Sequence, residues 1–219
     1  MKAKIQPVKP SVIMLYGYPG SGKTTFAKNL SEEISYAHID TDRILAETTN
    51  NSSRISDKEA FALMTYIANE FIKAGVGVIF DLDLPREIDR RRIKDFAKKQ
   101  KLKYMIVWPQ IDIETSENRA TSRDKRKTED RFAKPYTKES FRSFVGLMQN
   151  PLDENTIVIS GKHTFQSQKA AVIKKLLQSG VIKSEELSNR IVKPGLMSLV
   201  PKPTLSGENQ PERRNISIN

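Results

Sequence analysis

The stretch Gly17-Tyr18-Pro19-Gly20-Ser21-Gly22-Lys23-Thr24-Thr25 constrains the fold more than any other part of the chain. It satisfies G-x-x-x-x-G-K-[ST], follows a β-rich run at 12–16 and opens a helical pattern from Thr24 to about Ile34. A polyphosphate needs a concave array of N–H donors at close range, and glycines at 17, 20 and 22 let the backbone form one without a Cβ in the way. The following helix adds its N-terminal partial positive charge at the same place. Pro19, Ser21 and Thr25 complete the expected binding loop. Lys23 is suited to bridge the β- and γ-phosphates of ATP, and Thr24 to offer its hydroxyl to Mg²⁺. Such a loop serves kinases and other NTPases alike.

Short apolar runs alternate with segments of helical period, which predicts an α/β fold with a parallel sheet covered by helices on both faces. Strands are expected at 12–16, 36–39, 76–80, 104–108 and 156–159, each apolar enough to be buried on both faces. Ser56-Asp57-Lys58-Glu59 reads as a capping box opening a helix that stops at Gly75. Further helices are expected after Pro85, from Thr137 with Phe141, Phe144, Val145 and Met148 on one stripe, and over about 167–178. Residues 1–182 are read as one ATP-binding domain. Residues 183–219 hold four prolines and no sustained period, so they are expected to form a disordered or loosely docked tail.

The chain has 219 residues, no cysteine and two histidines, His38 and His163. That excludes a thiolate metal centre, a cysteine nucleophile and a disulfide scaffold, and it directs any metal to oxygen ligands, hence Mg²⁺. No long uninterrupted apolar run and no signal-peptide core are present, so a cytoplasmic protein without a membrane partner is expected. The sequence fixes no oligomeric state.

In an open α/β sheet, ligands bind beyond the carboxyl ends of the strands. Two acidic pairs fall there: Asp40 and Asp42 after the second strand, Asp81 and Asp83 after the third. A phosphoryl-transfer enzyme needs one carboxylate to accept the proton of an attacking hydroxyl and another to hold the metal. The same residues also suit helix capping: Asp40 or Asp42 for a short helix through Ala46, Asp83 for the one near Pro85. After the fourth strand, residues 115–142 carry nine basic and five acidic side chains. If 115–127 is helical, Arg119, Arg123 and Arg126 share one face, as on a lid that closes over a transferring phosphoryl group. Residues 86–103 are also basic, but read as the exposed side of an amphipathic helix, with Arg86 nearest the site.

The loop, Asp42, Asp81, Arg119, Arg123, Pro135 and the Phe141–Met148 segment together resemble the small P-loop kinases of the AAA family. That group includes the 5′-hydroxyl kinase domain of phage polynucleotide kinase and, more distantly, the zeta toxins. The similarity spans about residues 11–178. It implies a P-loop NTPase fold with a five-stranded parallel sheet, the loop-bearing strand near its centre, and an arginine-bearing helical lid. It also implies Asp42 as general base, Asp81 as the third-strand acidic residue that with Thr24 organises Mg²⁺, and Arg123 with Arg119 as lid arginines facing ATP. Asp40-Thr41-Asp42 is similar to the Asp-x-Asp of adenylylsulfate kinases, which makes Asp40 a rival base. Where polynucleotide kinases carry a phosphate-gripping arginine three residues beyond the base, this chain has Leu45, so Arg43 or Arg86 is the candidate substitute.

The leading expectation is an ATP- and Mg²⁺-dependent kinase acting on a hydroxyl acceptor: a polynucleotide, a nucleotide or a small metabolite. The net charge of +11 suits a nucleic-acid partner and equally a small anionic metabolite or nucleotide sugar. The alternatives are a nucleotide-gated ATPase module that binds RNA or a protein without phosphoryl transfer, and a zeta-toxin-like kinase of nucleotide sugars.

Overall fold

The computed structural model describes residues 4–49, 55–124, 126, 131–151 and 155–184. Its elements run in the order β1 (Ser11–Leu15), α1 (Lys23–Glu33), β2 (Tyr36–Asp40), α2 (Thr41–Thr48), α3 (Asp57–Lys73), β3 (Gly77–Asp81) and α4 (Glu87–Lys99). There follow β4 (Lys103–Gln110), α5 (Ile113–Thr121), α6 (Lys138–Gly146), β5 (Thr156–Ser160) and α7 (Phe165–Gln178). All five expected strands form, and they pair in the order β2-β3-β1-β4-β5 with every pairing parallel. The loop-bearing β1 is therefore central, and the α/β P-loop fold follows the expectation.

The strands alternate their side chains between two apolar layers, as a pleat of period two requires. Ile13, Leu15, Ile79 and Val107 pack with Phe26, Leu30, Val172 and Leu176 from α1 and α7. Val12, Met14, Val78, Phe80 and Ile106 face Met64 and Ala68 of α3 and Ile93 and Ala97 of α4. Helices thus cover both faces, which is why the strands read as continuous apolar runs.

The local signals hold at most helix ends. Ser56 Oγ and Glu59 form the capping box of α3, and α7 ends before Gly180 at φ +68°. Val181 and Ile182 are buried in the α1/α7 layer, and Val181 accepts the Val8 amide at 2.8 Å, which ties both ends of the domain together. The rest of the expected tail, from 185, lies outside the described residues. Among the described residues no helix is long and apolar enough to cross a membrane.

One expectation fails. The arginine segment is not one continuous helix: α5 stops at Thr121, with Ser122 as its C-cap and the Ser122 amide on the Asn118 carbonyl, and residues 125 and 127 lie outside the described residues. Ser122 Oγ donates to the Asn118 carbonyl at 2.6 Å and Thr121 Oγ1 to that of Glu117 at 2.9 Å. Beyond the helix, Arg126 pairs with Asp124 at 3.0 Å, so Arg119, Arg123 and Arg126 do not share a helical face.

Candidate active site

Gly20 and Gly22 adopt φ of +84° and +93°, values at which a side chain would be strained. A Cβ on Gly20 would also lie 2.5 Å from the Ser116 carbonyl oxygen, so α5 packs directly on the loop backbone. Ser116 Oγ fastens the contact by donating to the Pro19 carbonyl at 3.0 Å. Gly22 begins α1 with no side-chain cap, which leaves the first amides of the helix to an anion. Ser21 Oγ is the one side-chain oxygen or nitrogen among the described residues that is buried without a hydrogen-bond partner. Lys23 is 8% exposed. Its Nζ donates to the carbonyls of Gly17 at 2.9 Å and Tyr18 at 3.0 Å and pairs with Asp83 at 3.2 Å.

Above this loop lies a cavity of about 340 Å³ lined by Gly20, Gly22, Lys23, Thr24, Thr25, Asp40, Asp42, Arg119 and Arg123, together with Lys28, Ser122, Phe132 and Ala133. It gathers most of the residues singled out from the sequence. A side cavity of about 240 Å³ shares Gly22, Thr25 and Arg119 with it and continues between Asn29, His163, Phe165 and Gln168. A third cavity, of about 470 Å³, opens between α2, α3 and the 82–86 loop, and Asp42 lines this one as well. Asp42 therefore stands between the phosphate loop and a separate chamber. Arg86 lines that chamber, where Asp89 holds it at 2.8 Å. Arg43 lies outside all three, with its guanidinium 5.5 Å from the Phe132 ring.

The carboxylates take different partners. Asp40 caps α2, its Oδ1 accepting the amides of Asp42 at 3.0 Å and Arg43 at 3.4 Å. Asp42, one residue into the helix, turns its Oδ2 to the Lys134 amide at 2.8 Å. Of the two readings open for Asp83, capping α4 is not the one observed. The N-cap there is Arg86, without a side-chain bond, because the Asp83 carboxylate is drawn away to Lys23 and to the Tyr136 hydroxyl, at 3.2 Å and 2.8 Å. Asp81 is 5% exposed and its Oδ2 accepts from His38 Nε2 at 3.0 Å; it does not line the phosphate cavity.

These settings separate the acids. Burial, with the neighbouring Asp83 and Asp40 charges, pushes Asp42 up to about 6 against the opposing pull of the Lys134 amide and Arg123. Burial and the charge of Asp81 also raise Asp40. Burial works to raise Asp83 too, but the Lys23 ammonium and the Tyr136 hydroxyl outweigh it and hold the carboxyl below its ordinary value. Burial and the adjacent Asp83 push the Tyr136 phenol well above the usual tyrosine range.

The oxygens of Thr24, Asp40 and Asp81 are donors of the kind a hard cation takes, while His38 adds a nitrogen already hydrogen-bonded to Asp81. Thr24 and Asp40 share the phosphate cavity, and one donor atom each from His38, Asp40 and Asp81 lie within 4.8 Å of one another. Oxygen ligands beside a polyphosphate loop are what Mg²⁺ takes.

Several residues of the site were missed in the sequence. Lys134 and Tyr136 sit in an irregular segment whose basic composition carried no geometric signal. Arg90 is a further case: 1% exposed, it lies 4.7 Å from the Tyr16 ring, just before the phosphate loop, and donates to the Pro85 carbonyl at 3.1 Å. The spacing of Arg90, Ile93 and Ala97, all buried on α4, was a legible sign of its direction.

The fold is shared with solved kinases and nucleotide-binding proteins. A gluconokinase from Sinorhizobium meliloti 1021 superposes with a TM-score of 0.55 at 13% identity, over 83% of this chain and 98% of that one. Kti12 from Chaetomium thermophilum, in complex with ADP-AlF3, does so with a TM-score of 0.59 at 17% identity, over 78% and 100%. The APS kinase CysC of Mycobacterium tuberculosis, in complex with AMPPNP and APS, gives 0.56 at 18% identity, over 77% and 98%. No curated protein matches the sequence. The profile of the AAA domain family matches residues 12–143, more than half of the chain, and the chain belongs to that family.

Proposed function

We propose that the protein is an ATP- and Mg²⁺-dependent phosphotransferase that moves the γ-phosphate of ATP to a hydroxyl acceptor. The observation that carries this reading is the position of Asp42 on the walls of two cavities, one over the phosphate loop and one of acceptor size. A simple nucleotide switch needs no second chamber that meets the first at a carboxylate.

On this reading the loop amides and Lys23 hold the β- and γ-phosphates, and Lys23 exchanges the Gly17 and Tyr18 carbonyls for phosphate oxygens. The nucleobase enters the side cavity, against Arg119, His163 and Phe165. The Thr24 hydroxyl, with Asp40 and Asp81 behind it, would hold Mg²⁺, which when bound would supply neutralisation of charge on the phosphates. Asp42 accepts the proton of the acceptor hydroxyl as its oxygen attacks, a role its raised pKa suits. Arg123 and Arg119 compensate the charge on the transferring group. Arg43 and Arg86 are left to the acceptor side, where Arg86 is the better placed.

The test is transfer of labelled γ-phosphate from ATP with Mg²⁺ to a panel of nucleosides, 5′-hydroxyl oligonucleotides, sugar acids and nucleotide sugars. Label on one acceptor class, lost in Lys23→Ala and in Asp42→Asn, supports the reading. Release of inorganic phosphate at a rate no acceptor changes would overturn it in favour of a nucleotide-gated module.

A further inference from the structure

The chamber beyond Asp42 is built of different material from the phosphate cavity. Leu45, Phe61, Met64, Leu82, Leu84 and Leu147 supply much of its wall. Its charged lining is four carboxylates, Asp42, Asp57, Asp83 and Asp89, against three cations, Arg86, Arg92 and Lys134. Most of these are already engaged. Arg86 is bound by Asp89 at 2.8 Å and Asp83 by Lys23 at 3.2 Å, and the Arg92 guanidinium lies 3.9 Å from the centre of the Phe61 ring.

Such walls reject two kinds of acceptor. A polyol brings a hydroxyl on nearly every carbon, and those that fall against the leucines, Met64 and Phe61 would give up water without gaining a partner. A polyanion would meet as many carboxylates as free cations, with Leu45 offering no charge beside the base. A flat ring loses nothing on these walls and gains the contact area of Phe61 and its stacked guanidinium.

We infer that the acceptor is an alcohol built on a flat ring system and carrying at most one charge, and that its ring packs on the Phe61–Arg92 stack while its hydroxyl reaches Asp42. This rests on the reading of Asp42 as the residue that faces the acceptor hydroxyl. A nucleoside and an aryl alcohol share this chemistry; a sugar acid, a nucleotide sugar and an oligonucleotide do not.

The experiment is calorimetric binding to the full chain saturated with ADP and Mg²⁺, so that no turnover is needed. The probes are uridine, adenosine, 2-phenylethanol, gluconate and a 5′-hydroxyl oligonucleotide. The inference expects a nucleoside or the aryl alcohol to bind, which of the two naming the source. It expects Leu147→Asp, at an exposed position, to weaken that binding by about tenfold while ADP affinity stays unchanged. Arg92→Gln should weaken it as well. Binding of gluconate or the oligonucleotide in preference to every ring probe overturns the inference. So does binding of none, or ring binding indifferent to both variants. Ring binding that both variants weaken, without transfer of label, would leave a ring-binding chamber in place and reject the kinase reading, and with it the ring's role as acceptor.

Discussion

Asp42 accepts the backbone amide of Lys134 at 2.8 Å across 92 residues of chain, and the carbonyl of the same Lys134 accepts from Arg123 Nη1 at 2.7 Å. One residue beyond α5 thus joins Asp42 to Arg123, both of which line the cavity over the phosphate loop. Neither bond uses the Lys134 side chain, so Lys134→Ala should leave the linkage in place and Lys134→Pro, which lacks the amide, should break it. The expected result is near-normal transfer in the first variant and a loss of about tenfold or more in kcat in the second, measured with any acceptor the panel yields.

The raised pKa of Asp42 predicts a pH profile. A general base works ionised, so kcat/KM should fall as pH drops through about 6. The stability effect has the opposite sense. An acid whose folded pKa is raised binds its proton more tightly in the native state, so it costs stability as pH rises from its unfolded value through about 6. Asp42→Asn should therefore abolish turnover and, above pH 7, raise the melting temperature. A variant that is inactive but less stable at pH 8 would contradict this account of the residue.

Of the three positive-φ glycines of the loop, Gly20 and Gly22 should answer differently to alanine. Gly20→Ala puts a methyl group 2.5 Å from the Ser116 carbonyl and must displace α5, so both thermal stability and ADP binding should suffer. Gly22→Ala meets nothing within 4 Å and carries only the strain of its positive φ, about 1 kcal/mol. Melting curves without nucleotide separate the two, since the first variant should lose several degrees more than the second.

Asp83 and Lys23 form a pair whose carboxylate is held below its ordinary pKa. Such a group stabilises the fold above the unfolded carboxylate pKa, and that contribution is lost as pH falls through the lower folded value. Asp83→Asn should remove roughly 1–2 kcal/mol at pH 7, about 3–6 °C for a domain of this size. The difference from the parent should shrink below pH 4.

Arg90 joins Tyr16, at the entrance to the phosphate loop, to Pro85, in the loop that carries Asp83. Arg90→Lys keeps the charge but not the planar guanidinium that lies against the ring. The expectation is an acceptor KM raised about tenfold with ADP affinity within twofold of the parent. Equal losses on both sides would mark the residue as structural only.

Much of the fold was legible because its strands are buried on both faces. Val12 to Leu15 and Val78 to Phe80 are fully buried, and nothing but a covered parallel strand reads that way beside a phosphate loop. The phosphate loop was legible for a related reason: a single stretch supplies its glycines, lysine and threonine. The acid assignments were not. Whether Asp83 caps a helix or holds Lys23 depends on residues 23 and 136, and no local pattern contains them. The end of α5 was missed because a basic run satisfies helical spacing equally well whether or not the helix continues. The Thr121 and Ser122 hydroxyls do bond back to the Glu117 and Asn118 carbonyls there, but Thr65 makes the same bond inside α3 without ending it, so the stop has no distinctive local signature.

The lysine of the phosphate loop is anchored by the loop itself, through the Gly17 and Tyr18 carbonyls and Asp83. Recruiting it to a ligand is then an exchange of partners, and the affinity measured is a difference between two sets of contacts. A lone anion such as inorganic phosphate offers little more than the lysine already has. A chain of phosphates can replace those contacts and still engage the helix amides, so the anchoring acts as a threshold that screens ligands by the number of charges they bring in a row.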